Sequence, residues 1–300
     1  MDQIAPLNTL NCRGRIIDLD RPLVMGILNT TPDSFYDGGR YADTDAALRQ
    51  AERMLREGAA IIDVGGASSR PGADETPPDE ELRRVLPVVE RLAREFPDAI
   101  LSVDTWRASV AEAAIEAGAG MLNDISGGAF DPDLWPLIGR INRPQKEGGR
   151  GLSVPYVLMH IQGHPKTMQI QPRYTDLLTE TTDYFLGKIA ALRALGVSDI
   201  VIDPGFGFGK TLEHNYELLR YLPLFAVHTQ LPVLVGVSRK SMICRLLGVA
   251  PEQALNGATA LHMYALMQGA AILRAHDVKQ AIETILCFEA ASGKARLSDR

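Results

Sequence analysis

Apolar residues along the chain follow two alternating rhythms. Short, nearly continuous apolar runs occupy 21–29, 59–66, 99–105, 120–126, 154–161, 199–205, 232–238 and 270–277. Between them run longer stretches with a period near 3.6, at 44–58, 79–96, 106–118, 174–196 and 214–225. The first pattern predicts strands buried on both faces, and the second predicts amphipathic helices. Pro87 falls inside the 79–96 stretch and predicts a kink there. Apolar strands alternating with helices imply a parallel sheet. Eight such units in about 250 residues fit a (β/α)8 TIM barrel, as one domain spanning 1–300 with its core at about 21–290. An open, doubly wound sheet is the alternative, with fewer strands and one ligand crevice. Residues 11–19 predict an extra short strand or hairpin across the barrel base. Residues 139–153 are basic, glycine-rich and aperiodic, which predicts a surface loop before the fifth strand, on the face away from the strand ends.

Composition narrows the class of molecule. The chain is 46% hydrophobic and 23% charged, as a globular protein should be, and its net charge is −6. A nucleic-acid-binding face is therefore not expected, and an anionic ligand must be held by a local cluster of cations. Cys12, Cys244 and Cys287 stand far apart and form no CxxC pair, which suits a reducing compartment. The first residues show no secretory pattern, and no apolar run reaches membrane-spanning length. The expectation is a cytoplasmic protein with no membrane partner.

Polar residues cluster where the apolar runs end: Asn29, Ser68 to Arg70, Asp104, Asn123 with Asp124, His160, Asp203, Ser238 to Lys240, and Arg274 with His276. In a parallel barrel those ends converge on the face that carries chemistry. Caps and turns explain any one of them, but not eight ends together, nor two charges inside the apolar run 270–277. DPGFGFGKT (203–211) looks like a phosphate-binding loop, yet Pro204 stands where that loop needs glycine. His160 and His164 have the i, i+4 spacing of a helical zinc pair, but they straddle a strand end and Gly163. Ser238 reads as a helix N-cap that would leave backbone N–H groups free near Lys240 and Ser241. No Gly-x-Ser-x-Gly elbow is present.

Eight motifs in order, GILNTTPDSFYDGG, DVGGASSRPGA, SVDTWR, LNDISGG, LMH, DPGFGFGKT, VGVSRKS and LRAHD, cover about 21–284. With them the chain closely resembles the dihydropteroate synthase family of pterin-binding barrels. That resemblance implies a homodimeric, Mg2+-using enzyme of folate biosynthesis and a sulfonamide target. Its members join 6-hydroxymethyl-7,8-dihydropterin diphosphate to 4-aminobenzoate and release diphosphate through an SN1-like step. It implies Asp104, Lys240 and Arg274 as catalytic residues. Asp104, Asn123, Met159, Asp203, Phe208 and Lys240 would bind the pterin. Asn29, Arg274 and His276 would bind diphosphate, with Asn29 also near the metal. Phe35, Ser69, Arg70, Pro71, Lys240 and Ser241 would hold 4-aminobenzoate. Thr31, Asp33, Ser34 and Phe35 would form a lid hinged at Gly38 and Gly39; the alternative is a rigid turn with Asp33 as a cap, but long polar loops at barrel mouths more often carry function. Met159 serves equally well as ordinary core. The second loop departs from the family's usual GGESTRPG, with Ala67 for an acidic residue and Ser69 for threonine. Two other functions remain in view: a methyltransferase acting on a corrinoid, which would share Asp104, Asn123 and Asp203, and a catalytically silent pterin-binding protein.

Overall fold

The computed structural model describes residues 8–30, 40–68, 72 and 74–294. Ten strands are β1 (Thr9–Cys12), β2 (Arg15–Asp18), β3 (Leu23–Asn29), β4 (Ile61–Gly65), β5 (Ile100–Asp104), β6 (Met121–Asp124), β7 (Tyr156–Met159), β8 (Ile200–Asp203), β9 (Leu234–Val235) and β10 (Ile272–Ala275). Strands β3 to β10 form one parallel sheet in the order β8-β7-β6-β5-β4-β3-β10-β9. The two ends of that sheet meet, because Ile202 bridges Val233 and its N–H donates to Pro232 O at 3.0 Å. This is a (β/α)8 barrel, and the open-sheet alternative is excluded.

Among the described residues ten helices cover the outside: α1 (Arg40–Arg56), α2 (Pro78–Glu95), α3 (Ala108–Ala117), α4 (Leu134–Asn142), α5 (Leu177–Ala194), α6 (Leu212–Arg220), α7 (Leu222–Thr229), α8 (Ser241–Leu247), α9 (Leu255–Met267) and α10 (Val278–Ala291). α2 runs through Pro87 without a break. The single helix expected at 214–225 is two, because Pro223 opens a second helix after Tyr221. α4 and a 3-10 turn at Gln145–Glu147 take up part of the segment expected to be loop. The hidden signal was Leu134, Leu137, Ile138 and Ile141, all buried at helical spacing.

Strand alternation divides the core in two. Outward residues such as Val24, Ile62, Val103, Leu122 and Leu273 pack under the helices. Inward residues Met25, Ile61, Met121, Val157, Val201, Leu234 and Ile272 fill the lower barrel. Beneath them the antiparallel β1–β2 hairpin adds Leu10, Cys12, Ile17 and Leu19, so the base is stoppered by apolar side chains. Residue 153 lies on this base side, where Ser153 O accepts from the Arg13 N–H at 2.8 Å.

Candidate active site

Above the apolar floor the inward positions turn polar. Asp63 on β4 lies in register with Ser102 on β5, and Asp104 with Asn123 on β6. Asp203 on β8 and Arg274 on β10 complete the ring. With Ile125, Met159, Phe208, Gly236 and Lys240, the charged residues Asp104, Asp203 and Arg274 and the amide Asn123 line one cavity at the C-terminal mouth of the barrel. All six residues expected to bind pterin, and Arg274, therefore meet in one place.

Arg274 spans the centre. Its Nε donates to Asp63 Oδ2 at 2.7 Å and its Nη2 to Asp104 Oδ2 at 2.6 Å. Asn123 Nδ2 donates to the same Asp63 oxygen at 2.8 Å. Asp63 was not among the residues expected from sequence, although a carboxylate inside an apolar run was there to be noticed. It is fully buried, and its Oδ1 has no hydrogen-bond partner among the described residues. Opposite stands Asp203, whose Oδ1 accepts the Gly205 N–H at 2.7 Å. Lys240 Nζ donates to Phe206 O at 2.6 Å and lies 4.7 Å from the centre of the Phe208 ring. The cavity between these groups measures about 20 Å³, enough for a water and far below the several hundred Å³ of a small-molecule pocket. A small-molecule ligand therefore requires lining side chains to move. A groove of about 400 Å³ between α5 and α6 is larger, but three of its polar side chains are committed. There Asp176 caps the Thr179 N–H, Tyr174 donates to Gly209 O, and His214 serves the Thr211 N–H.

Burial sets the protonation of the ring. It pushes the Asp104 carboxyl up to about 7, against the pull of Arg274, with Asp63 adding to the rise. It raises Asp203 as well, opposed by Lys240, the Gly205 N–H, Arg274 and Lys210. It draws Lys240 down to about 8, with Asp203 opposing. For Arg274 burial works against the charge, but Asp63 and Asp104 outweigh it and hold the guanidinium protonated.

Other expected residues fall as follows. Asn29 ends β3 at the mouth: its Oδ1 and Asp104 Oδ2 lie 3.8 and 3.7 Å from where a Cβ on Gly65 would stand. Ser238 is not a helix cap. Lys240 occupies the N-cap position of α8, and Ser238 Oγ instead accepts the His276 N–H at 3.2 Å and meets His276 Nδ1 at 3.1 Å. Ser241 opens α8. Asp124 and His160 follow inward residues and so face outward. Asp124 ties Tyr156 and the N–H groups of Ser126 and Gly128, and His160 contacts Lys210. His164 stacks on Phe130, so the two histidines form no metal pair. Ala67 packs beside Trp106 and Met159. Thr31, Asp33, Ser34, Phe35, Gly38, Gly39, Ser69, Arg70 and Pro71 lie outside the described residues. Arg107, unremarked in the sequence, binds the buried Glu81, with Glu75 Oε1 at 2.8 Å and Thr76 O at 2.6 Å. It thereby fastens the far end of the β4–α2 connection.

Comparison with known proteins agrees with this geometry. The family model "Pterin binding enzyme" matches residues 25–276. The dihydropteroate synthase of Escherichia coli K12 is 45% identical over 283 residues, 94% of this chain and 95% of that protein. The Yersinia pestis dihydropteroate synthase, solved with a sulfonamide drug, superposes with a TM-score of 0.85 at 47% identity, covering 95% of this chain and 99% of that one. The Xanthomonas albilineans dihydropteroate synthase in complex with 7,8-dihydropteroate gives 0.80 at 36% identity, covering 95% and 98%. From residue 25 to residue 276, then, this chain belongs to the pterin-binding enzyme family, and its relatives there are dihydropteroate synthases.

Proposed function

We propose that the chain is a dihydropteroate synthase. It joins 6-hydroxymethyl-7,8-dihydropterin diphosphate to 4-aminobenzoate, gives 7,8-dihydropteroate and diphosphate, and serves folate biosynthesis as a sulfonamide target. The observation that carries this reading is the meeting of Asp203, Asn123, Lys240, Asp104 and Arg274 on one cavity at the barrel mouth.

The chemistry follows from the groups. Asp203 accepts two hydrogen bonds from the guanidine-like edge of the pterin, a fit that carboxylates favour. Asn123 and Lys240 meet the remaining ring donors and acceptors, while Met159 and Phe208 supply walls. Seating the ring drives Arg274 away from Asp63 and Asp104 toward the diphosphate, whose oxygens suit its planar fork. Asn29 and His276 stand at the same end. The C–O bond between the pterin methylene and diphosphate then breaks, and the electron pair leaves with diphosphate. The dihydropterin ring spreads the resulting positive charge, and Asp104, freed of Arg274, faces it. The arylamine nitrogen of 4-aminobenzoate forms the new C–N bond and gives up a proton to the released diphosphate or to water. No side-chain nucleophile is needed. Ser69, Arg70, Pro71, Phe35 and Ser241, with Lys240, hold 4-aminobenzoate. Thr31, Asp33, Ser34 and Phe35 cover the reacting cation.

The donor set fits Mg2+ held mainly by diphosphate and water. Asn29 offers one neutral oxygen, and the described residues contain no cluster of His, Cys, Asp or Glu able to hold a metal by themselves. Bound there, Mg2+ would neutralise the leaving group. Exposed apolar side chains on α8 and α9, among them Leu246, Leu247, Tyr264 and Met267, offer surface for a homodimer contact. We place the protein in the cytoplasm. No helix among the described residues is long and apolar enough to cross a membrane.

The test is diphosphate release by the purified chain with both substrates and Mg2+. Release and dihydropteroate formation should depend on 4-aminobenzoate and the pterin together. Methyl transfer to a corrinoid would identify the other enzyme, and binding without turnover the silent protein.

A further inference from the structure

The glycine-rich stretch 203–211 carries one lysine, and that lysine is buried. Lys210 is 2% exposed. An ammonium carries three hydrogens, and three acceptors surround it: His160 Nδ1 at 2.9 Å, Phe208 O at 3.0 Å and His160 O at 3.3 Å. Burial, and then the charge of Lys210, hold the His160 ring well below its usual range, so the imidazole is neutral and can accept at Nδ1.

The glycines explain why the lysine reaches so far. Gly205 and Gly209 adopt φ of +70° and +63°. A Cβ on Gly205 would lie 1.9 Å from His160 O, and one on Gly209 2.3 Å from Gln162 O. The β8–α6 loop therefore lies directly on the chain leaving β7. Lys210 fastens the two. Between the glycines sit Phe206, whose carbonyl accepts from Lys240, and Phe208, whose ring lies below the Lys240 ammonium.

We propose that Lys210 is a positioning residue for the pterin half of the cavity: it holds the Phe206–Phe208 segment under Lys240, and its charge acts on Asp203. This rests on the reading of Asp203 as the pterin acceptor. The charges acting on Asp203 are Lys240, Arg274 and, least of the three, Lys210, and all favour the carboxylate against burial. Those facing Lys210 are Asp203 and Lys240, with the His160 ring in contact. Burial draws Lys210 down to about 7, with Asp203 opposing, so it is charged on the acid side of neutrality.

The experiment compares the unaltered chain with Lys210→Met, which keeps length and loses charge, and Lys210→Arg, which keeps charge. Calorimetric Kd for 6-hydroxymethyl-7,8-dihydropterin is followed on the acid side of neutrality. KM for 4-aminobenzoate is measured at saturating pterin diphosphate. Lys210→Met should weaken pterin binding about tenfold or more, the scale of a lost charged hydrogen bond. Its loss of affinity on acidification should begin at higher pH, because Asp203 protonates more easily, while KM for 4-aminobenzoate changes little. Lys210→Arg should keep the acid limb of the unaltered chain. A methionine variant with unchanged Kd and acid limb overturns the proposal, as does equal loss for both ligands. If the methionine variant does not fold, the arginine variant decides by keeping or losing that limb. An unaltered chain that binds no dihydropterin overturns the pterin reading itself and this one with it.

Discussion

Asp203→Asn changes one oxygen for an NH2 group at the bottom of the cavity. The native Oδ1 is engaged by the Gly205 N–H at 2.7 Å. An asparagine keeps that bond only with its own oxygen in the Oδ1 position. Its NH2 then takes the place of Oδ2 and meets the pterin donor-to-donor. A hydrogen bond to a charged group contributes roughly 1.5–3 kcal/mol. Losing one such bond and leaving a ligand N–H unpaired in a buried site should cost about 3–4 kcal/mol, or between about two and three decades in Kd. The fold should survive, because burial already works against the charge at this position, and the amide removes a buried anion while keeping its shape. Isothermal titration with the bare dihydropterin reads the affinity, and a thermal melt reads the fold. A Kd within about threefold of the unaltered chain, with an unchanged melt, would refute the assignment of Asp203 and the orientation argument behind it.

Lys240 loses its proton as pH rises through about 8, so pterin affinity should hold below that value and decline above it. Lys240→Met should bind weakly with no alkaline decline, by the same titration. Asp63→Asn weakens the anchor of both Arg274 and Asn123; steady-state assays should show kcat/KM down by about tenfold or more. Arg274→Ala leaves Asp63 and Asp104 facing each other in the barrel without their cation. It should lower stability by about 3 kcal/mol in urea unfolding, and Asp63→Asn in the same chain should restore part of that. The same variant should lose diphosphate-dependent binding of 4-aminobenzoate more than binding of the bare pterin; equal losses would contradict the anion role of Arg274.

The barrel was legible because each strand is buried on both faces and reads as an apolar run, with a change of period marking each helix. The cavity was legible because polar residues at strand ends stood out against those runs. What escaped notice has a common cause. Sequence shows where a strand ends but not which of its last two residues points inward, so Asp124 and His160 were grouped with Asn123 and Asp203 although alternation turns them outward. Asp63 lies two residues before the end of its strand and was passed over, though it is the residue that Arg274 and Asn123 share. Ser238 was assigned by cap propensity, and a tertiary partner, His276, took its hydroxyl instead. The helices α9 and α10 do not stand out in the sequence, whereas α8 follows the segment where a cap was expected. α9 mixes Gly257, Thr259 and His262 with apolar residues on several sides, so its period is faint.

The stoppered base has a consequence for traffic. With Leu10, Cys12, Ile17 and Leu19 filling one end, the described residues make the barrel a cul-de-sac, open at its other end. A molecule resting on Asp203 and Asn123 occupies the far end, and anything bound nearer the rim bars its exit. Occupants therefore enter deepest first and depart in reverse, so the order of binding is written into the shape of the vessel before any affinity is measured.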